Sequence, residues 1–244
     1  MPQLTPTDGE FSSFPDLHPT TVERLKAKGC KNLFPIQQNS FYPIFNREDL
    51  IARDLTGSGK TLGFALPVTE YLRKEKLLGS RRVQAIVLAP TRELAIQVQR
   101  VFQDIKHTPN EYNCLTVYGG VSIEDQTREL RRGVEIFVGT TGRVLDHIER
   151  GNIDFSHCKT VVLDEADQML KLGFKEDIER ILHRVRSQCQ KNLQICLFSA
   201  TVPAWVRQVA NQHMSRNLRV VDLAQDLKNK TARKVAHLAI SCPY

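Results

Sequence analysis

Three carboxylates stand within four residues at Asp164, Glu165 and Asp167, directly after the apolar run Thr160–Leu163. Like charges crowded at the end of a buried strand repel one another and gain little from burial. A divalent cation and a phosphate chain would explain them, with one carboxylate holding the metal and another orienting a water molecule. The segment therefore indicates metal-assisted chemistry on a phosphate.

A second segment has the residue types of a phosphate-binding loop. It follows the apolar run Leu50–Arg53, precedes the helical run Leu62–Leu66, and contains Thr56, Gly57, Ser58, Gly59, Lys60 and Thr61. Glycines let backbone N–H groups close around phosphates, and a helix start adds partial positive charge. Lys60 would reach the terminal phosphates and Thr61 would contact Mg²⁺. The alternative is a flexible turn before a helix, but the acidic strand end about 100 residues later favours a nucleoside triphosphate site.

The loop departs from the usual pattern at one position. The pattern has glycine five residues before Gly59, where this chain has Asp54. A carboxylate near a triphosphate is unfavourable unless it points away or pairs with Arg53 or another cation. We therefore predict that replacing Asp54 by alanine leaves nucleotide affinity unchanged or improves it.

The elements that must position these residues are short apolar runs alternating with amphipathic segments. Strands are predicted at Leu50–Arg53, Val83–Ala89, Cys114–Tyr118, Val134–Gly139, Thr160–Leu163, Leu193–Ser199 and Leu218–Leu223. Helical patterns between them include Arg92–Ile105, Ile123–Arg131 and Lys175–Arg186. Such alternation predicts an α/β fold with a mostly parallel sheet and helices on both faces. Ligands of such folds bind at the carboxyl ends of the strands.

Composition excludes several classes of protein. With 244 residues the chain is long enough for one large α/β domain or two small ones. No apolar run approaches the roughly 18–20 residues of a membrane span, and no secretory signal is visible. The six cysteines are scattered, which fits free thiols in a reducing compartment. The net charge of +7 is compatible with binding to nucleic acid. Seven of the basic side chains follow residue 200, and this segment is either a basic patch or a solvated tail.

Seven motifs in order carry a resemblance to a known family. They are Phe34–Gln37, Gly57–Thr61, Pro90–Ala95, Gly119-Gly120, Thr140–Arg143, Asp164–Asp167 and Ser199–Thr201. From about Phe11 to Tyr244 the chain resembles the first RecA-like domain of DEAD-box ATP-dependent RNA helicases, and its flanks look most like the nucleolar Gu-type members. The resemblance implies a RecA-like P-loop NTPase domain at 41–223. An N-terminal extension with the Q-motif would occupy 1–40, and 224–244 would be a linker towards a second RecA-like domain.

The resemblance assigns the adenine contacts of ATP to the N-terminal extension. The amide of Gln37 can donate to and accept from one edge of adenine, which favours ATP over GTP. The alternative is a surface glutamine after a helix. The family also stacks an upstream aromatic on adenine. Phe11 best matches that position, although its spacing is one residue longer than in the family. Phe14 is the alternative, and either phenylalanine could instead belong to the core.

The resemblance also divides the three carboxylates by role. Asp164 would hold Mg²⁺ through water, alongside Thr61, and Glu165 would orient and deprotonate the attacking water, with Lys60 on the phosphates. Asp167 would couple this chemistry to strand separation through the hydroxyls of Ser199 and Thr201. The alternative for Thr201 is a helix N-cap.

RNA contacts are expected from three further segments that each follow a strand. The residues are Thr91, Arg92, Gly119, Gly120, Thr140, Gly142 and Arg143. Small residues and arginines at helix starts suit contacts to sugar and phosphate, largely without sequence preference. Taken singly, each segment could be a helix cap or a turn. Thr141 stands where the family usually has proline, so this loop is expected to be less rigid.

The resulting expectation is the ATP-binding half of an RNA-dependent ATPase that separates RNA duplexes when joined to its second domain. Because the family supplies its arginine finger from that domain, residues 1–244 alone should bind nucleotide weakly and hydrolyse it slowly. Two other classes stay open, an ATP-gated RNA clamp without productive unwinding and a DNA translocase. The expected location is the nucleus, including the nucleolus, with the cytoplasm as the alternative.

Overall fold

A computed structural model describes residues 9–189 and 193–224, and within them seven strands form one sheet. The strands are β1 (Leu50–Arg53), β2 (Ala85–Ala89), β3 (Cys114–Val117), β4 (Ile136–Thr140), β5 (Thr160–Leu163), β6 (Gln194–Ser199) and β7 (Arg219–Asp222). Their order is β3-β4-β2-β5-β6-β1-β7, and every neighbouring pair is parallel. All seven strand predictions are confirmed, with ends that differ by at most two residues.

Helices cover both faces of this sheet, as predicted. They are α1 (Pro19–Ala27), α2 (Pro35–Phe45), α3 (Lys60–Lys74), α4 (Arg92–Asp104), α5 (Ile123–Arg131), α6 (Thr141–Glu149), α7 (Ala166–Lys171), α8 (Lys175–Gln188) and α9 (Ala204–His213). Side chains of β2 alternate between the two faces: Val87 faces a core that contains Phe41 and Phe64, and Leu88 a core that contains Ile181 and Trp205. Strands β2, β5 and β6 are buried on both faces, which explains their largely apolar sequence, whereas the edge strand β7 is partly exposed.

The N-terminal segment is continuous with the domain. A short 3₁₀ turn at Phe11–Ser13, α1 and α2 contribute to the core that holds α3 and α4, and the predicted boundary between 40 and 41 lies inside α2. The predicted linker at 224–244 lies outside the described residues, apart from Ala224. Within the described part of the chain, no helix is long and apolar enough to cross a membrane.

Strand order decides which loops meet at the carboxyl edge of the sheet. The phosphate loop, the Ser199–Thr201 segment and the Asp164–Asp167 segment follow three adjacent strands, β1, β6 and β5. The three segments expected to contact RNA follow the other adjacent group, β2, β4 and β3. The edge therefore has one half expected to bind nucleotide and one half expected to contact RNA, which we call the nucleotide side and the RNA side. They meet where β5 pairs with β2.

Candidate functional site

The phosphate loop wraps around the ammonium group of Lys60. Gly57 and Gly59 adopt φ values of +80° and +88°, a region that glycine enters without steric cost, and α3 begins at Lys60 itself. Lys60 is buried, and its Nζ donates to the carbonyl oxygens of Asp54 (3.0 Å) and Leu55 (3.1 Å). The cation therefore lies at the centre of the loop, next to the first backbone N–H groups of a helix.

Glu165 faces this cation directly. Its Oε1 lies 3.2 Å from Lys60 Nζ, so the loop after β1 and the loop after β5 are joined by an ion pair. Glu165 also has φ +51° and ψ +49°, a left-handed conformation that costs energy for a residue with a side chain. Glu165, the residue in this strained conformation, is the one expected from the sequence to orient the attacking water.

Asp164 has the environment of a metal-holding carboxylate. It is buried, and its Oδ1 has no hydrogen-bond partner among the described residues. Burial and then the charge of Glu165 raise its pKa to about 7, although Lys60 opposes the rise. An orphaned buried oxygen of this kind suits Mg²⁺. The described residues hold no cluster of three potential metal-ligating side chains, so water and phosphate would supply most of the coordination, as Mg²⁺ prefers.

Gln37 joins the N-terminal helix pair to the phosphate loop. It is buried in α2, so the surface alternative is wrong. Its Oε1 accepts from Phe34 N (2.8 Å) and its Nε2 donates to Gly59 O (3.1 Å). A Cβ atom added at Gly59 would lie only 2.4 Å from that Nε2. Gln37 therefore lies against the loop, and its contact with adenine stays a prediction.

Three phenylalanines precede α2 in the chain. Phe11 and Phe14 are both buried in the core, and the ring of Phe14 contacts Phe41 (5.3 Å between centroids) and Tyr42 (5.9 Å). Phe34, by contrast, is 57% exposed beside Gly59. Sequence reasoning included Phe34 in the first motif but assigned it no contact, since one apolar residue before a helix-starting proline carries no periodic signal.

Asp54 is bonded within its own loop. Its Oδ1 accepts from Leu55 N at 2.8 Å, and its backbone N–H continues the sheet by donating to Ser199 O. Arg53 pairs with Asp222 (3.2 Å) and donates to Ala200 O. The pairing of Asp54 with Arg53 that the sequence suggested is therefore not observed. The carboxylate of Asp54 stabilises the turn that leads into the phosphate loop.

The third carboxylate contacts the segment after β6. Thr201 donates to Asp167 Oδ2 through its hydroxyl (2.8 Å) and its backbone N–H (3.2 Å), and Ser199 Oγ accepts from Asp167 N (3.2 Å). Burial alone would raise the pKa of Asp167, but hydrogen bonding with Ser199 and Thr201 outweighs it and lowers that pKa. The N-cap position of α9 is Pro203, which forms no side-chain cap, so the N-cap interpretation of Thr201 is wrong.

Arg92 begins the RNA side of the edge. It starts α4, is exposed, and its guanidinium lies 4.5 Å from the ring centroid of Tyr118, the residue before Gly119. Thr91 caps α4 by accepting from Leu94 N (3.3 Å), so the helix-cap alternative describes its local role. Tyr118 was missed because one aromatic residue at a strand end is common.

The two remaining RNA segments contact each other. Gly119 and Gly120 form an exposed turn with Gly120 at φ +81°, and Thr140 is the N-cap residue of α6. Thr141 is fully buried and Gly142 is exposed at the start of that helix. Arg143 has an 11% exposed side chain and donates from Nη1 to Val121 O (3.0 Å) and Gln126 Oε1 (2.9 Å). Part of its donor capacity is therefore used within the protein.

Comparison with known proteins agrees with this geometry. A family model described as DEAD/DEAH box helicase matches residues 34–209. The chain is 44% identical to ATP-dependent RNA helicase DDX50 from Homo sapiens, over 96% of this chain and 32% of that protein. It is also 44% identical to nucleolar RNA helicase 2 from Rattus norvegicus, over 96% of this chain and 30% of that protein.

A solved structure of a DEAD box protein from Methanococcus jannaschii superimposes with a TM-score of 0.78 and 34% identity, over 88% of this chain and 56% of that one. The fold is RecA-like, as the resemblance implied. The chain spans about a third of the length of the curated relatives it matches. The family model covers well over half of the residues, and the chain belongs to the DEAD/DEAH box helicase family.

Proposed function

We propose that this chain is the ATP-binding half of an RNA-dependent ATPase that locally separates RNA duplexes when joined to a second RecA-like domain. The observation that carries the proposal is the Lys60–Glu165 ion pair at the phosphate loop. The pair brings the cation proposed to bind phosphate against the carboxylate proposed to orient water, on the same sheet edge as the segments proposed to contact RNA. The printed names of the relatives, ATP-dependent RNA helicase and nucleolar RNA helicase, support the same activity.

The chemistry follows from what each side chain can exchange. Phosphate oxygens would replace Glu165 and the loop carbonyls around Lys60, which leaves Glu165 free to accept a proton from water. Asp164 and Thr61 would hold Mg²⁺, which neutralises phosphate charge when bound. The backbone of Thr56–Gly59 would cradle the phosphates, while Gln37 and Phe11 would contact adenine, with Phe14 as the competing aromatic.

RNA would lie along the other half of the edge, held by its backbone and without sequence preference. Exposed Arg92 and the open turn at Gly119 and Gly120 allow close approach of phosphates, and Thr140 and Gly142 lie at a helix start. Thr91 and the remaining donors of Arg143 complete this surface. Contacts to 2′-hydroxyl groups would make RNA a better activator of ATP hydrolysis than DNA. Equal stimulation of hydrolysis by DNA would instead indicate a DNA translocase.

Substitution of Glu165 by glutamine tests the proposed chemistry. The amide keeps the shape of the side chain and removes the proton acceptor, so ATP should still bind while RNA-stimulated hydrolysis falls by about 10²–10⁴-fold. Hydrolysis is measured on the protein joined to its second domain, with Glu176→Gln, an exposed carboxylate on α8, as the control. Turnover within a few-fold of the unmutated protein would contradict the assignment.

The same Glu165→Gln protein separates unwinding from clamping. A helicase releases a labelled strand from a duplex with ATP, whereas an ATP-gated clamp retains single-stranded RNA without release. We expect release by the unmutated protein and retention by Glu165→Gln. Residues 1–244 alone should hydrolyse ATP slowly, because an arginine finger contributes about 10³–10⁵ in rate. RNA-stimulated turnover by that chain comparable to a two-domain helicase would contradict this expectation.

The nucleus is the proposed location, including the nucleolus. The support is the name of one relative, nucleolar RNA helicase 2, and the resemblance of the flanking segments to Gu-type helicases. A fluorescent fusion that stays in the cytoplasm would contradict the proposal.

A further inference from the structure

One buried amide contacts two of the three segments on the RNA side directly. Gln126 lies in α5, outside every motif named above, and is 7% exposed. Its Nε2 donates to the carbonyl oxygen of Tyr118 at 3.2 Å. Its Oε1 accepts from Arg143 Nη1 at 2.9 Å and is 3.1 Å from His147 Nε2. Both ends of the amide are therefore used.

The contacts of these partners extend the connection to the third segment. The ring of Tyr118 supports the guanidinium of Arg92 at the start of α4. Arg143 also donates to Val121 O, which holds the Gly119-Gly120 turn against α6. Through Gln126, the residues that follow β2, β3 and β4 are joined by side-chain contacts in addition to the sheet.

The orientation of the amide is determined by a second buried group. His147 is fully buried, and its Nδ1 lies 3.1 Å from Asn152 Nδ2, a donor. Burial, and then the charge of Arg143, lower the pKa of His147 to about 4, so the ring is neutral at physiological pH. A neutral ring that accepts at Nδ1 carries its proton on Nε2 and donates it to Gln126 Oε1. The amide oxygen therefore faces two donors and its nitrogen faces the carbonyl.

We infer that Gln126 is a positioning residue that holds the three RNA-facing segments in one arrangement before RNA binds. A surface that is ordered in advance loses less conformational freedom on binding, so affinity rises without a contact between Gln126 and RNA. The inference rests on the proposed function, because it assumes that these segments bind RNA. Arg143 acts on this surface partly as a brace for the Gly119-Gly120 turn.

Gln126→Leu tests the inference, since leucine keeps the approximate volume and removes both hydrogen-bonding ends. Binding of a fluorescent uridine oligonucleotide to the full chain is measured with a non-hydrolysable ATP analogue present, over a range of salt concentrations. We expect about tenfold weaker RNA binding, on the order of the loss of one charge-assisted hydrogen bond. We also expect the slope of log affinity against log salt to fall by about one, because a misplaced arginine no longer meets its phosphate. Nucleotide affinity should not change.

The matched control is Gln99→Leu. Gln99 also donates from an amide to a carbonyl oxygen, that of Cys114 at 2.8 Å, but it joins α4 to the start of β3, away from the RNA segments. Simple loss of stability would weaken RNA binding in both variants and leave the salt slope unchanged. Gln126→Glu, which keeps an oxygen for Arg143 but loses the donor to Tyr118, should fall between Gln126→Leu and the unmutated protein. This variant decides the matter if Gln126→Leu does not fold.

Two results would overturn the inference. One is RNA binding by both Gln126 variants with the affinity and salt slope of the unmutated protein. The other is an equal loss in Gln99→Leu, which would make Gln126 an ordinary structural amide. Failure of the unmutated protein to bind RNA is a different outcome, because it contradicts the proposed function itself.

Discussion

Asp164 and Asp167 lie three residues apart, and their environments shift their pKa values in opposite directions. Burial beside Glu165 raises the pKa of Asp164, whereas hydrogen bonding with Ser199 and Thr201 lowers that of Asp167. The first carboxylate keeps an unused oxygen and the second is bonded to its neighbours. The charges that crowd the end of β5 are thereby separated into a buried group with an unbonded oxygen, a group paired with Lys60 and a group bonded to the segment after β6.

Asp164 should make stability depend on pH in the absence of divalent cations. Its pKa of about 7 lies above the value of about 4 expected in an unfolded chain, so the folded protein binds the proton more tightly. The contribution of this carboxyl group to folding stability is therefore fully present below about pH 4 and is lost as the pH rises through about 7. Asparagine cannot ionise, so Asp164→Asn removes that loss. The difference in melting temperature between the variant and the unmutated protein should therefore be a few degrees more favourable to the variant at pH 8 than at pH 5.

Calorimetry in EDTA at the two pH values measures this difference. Asp16→Asn, which changes an exposed carboxylate, is the control and should show no such dependence. The same change in melting temperature for Asp164→Asn at pH 5 and pH 8 would argue against a raised pKa at this site.

Asp54 offers a second test at the scale of one residue. Its charge opposes a triphosphate, but its Oδ1 also accepts from Leu55 N and so stabilises the turn. Asp54→Asn removes the charge and keeps an accepting oxygen, so ATP should bind several-fold more tightly. Asp54→Ala removes both, and ATP affinity should be unchanged or improved. Nucleotide titration that shows a large loss for both variants would mean that the carboxylate itself is needed for ATP.

At the scale of the elements, apolar runs were enough to predict all seven strands and the loops that follow them. Strand order was beyond such patterns, because parallel partners such as β1 and β6 are distant in the chain. Local pattern also left Thr201 open between a helix cap and a contact to Asp167, which only the packing of α7 beside β6 decides. Gln126 and Tyr118 carried no signal, because their roles depend on neighbours from other segments.

The junction between α2 and the phosphate loop leads to a prediction about two glycines. Gly57 and Gly59 both have positive φ, so alanine at either position is strained by about 1 kcal/mol. An added Cβ at Gly57 meets nothing within 4 Å, whereas at Gly59 it would displace Gln37. Gly59→Ala should therefore destabilise the domain more and also abolish ATP binding, while Gly57→Ala should weaken binding moderately.

Chemical denaturation and nucleotide titration of both glycine variants make the comparison. Equal losses for the two would show that backbone conformation alone limits the loop and that contact with Gln37 contributes little.

At the scale of the whole molecule, nucleotide and RNA are proposed to occupy two halves of one sheet edge, and Thr201 is proposed to transmit between them and a second domain. Thr201→Val keeps the shape of the side chain and removes the hydroxyl that donates to Asp167. We expect ATP hydrolysis within a few-fold of normal and a much larger loss of duplex release. Strand-release and hydrolysis assays on the two-domain protein measure this, with Thr108→Val, which changes an exposed threonine between α4 and β3, as a control. Parallel loss of both activities would indicate a role in chemistry instead.

Strand β1 lies between β6 and β7, the last two strands in the chain, and this position has a consequence for synthesis of the protein in the cell. The residues of β1 leave the ribosome before those of its partners β6 and β7, which follow roughly 150 residues later. At about 5–20 residues per second, this apolar strand and the loop that follows it wait on the order of 10–30 s for a partner. Nascent chains should therefore hold β1 unpaired while β2, β3 and β4 already pair, so among the described strands β1 has the longest wait for its first partner.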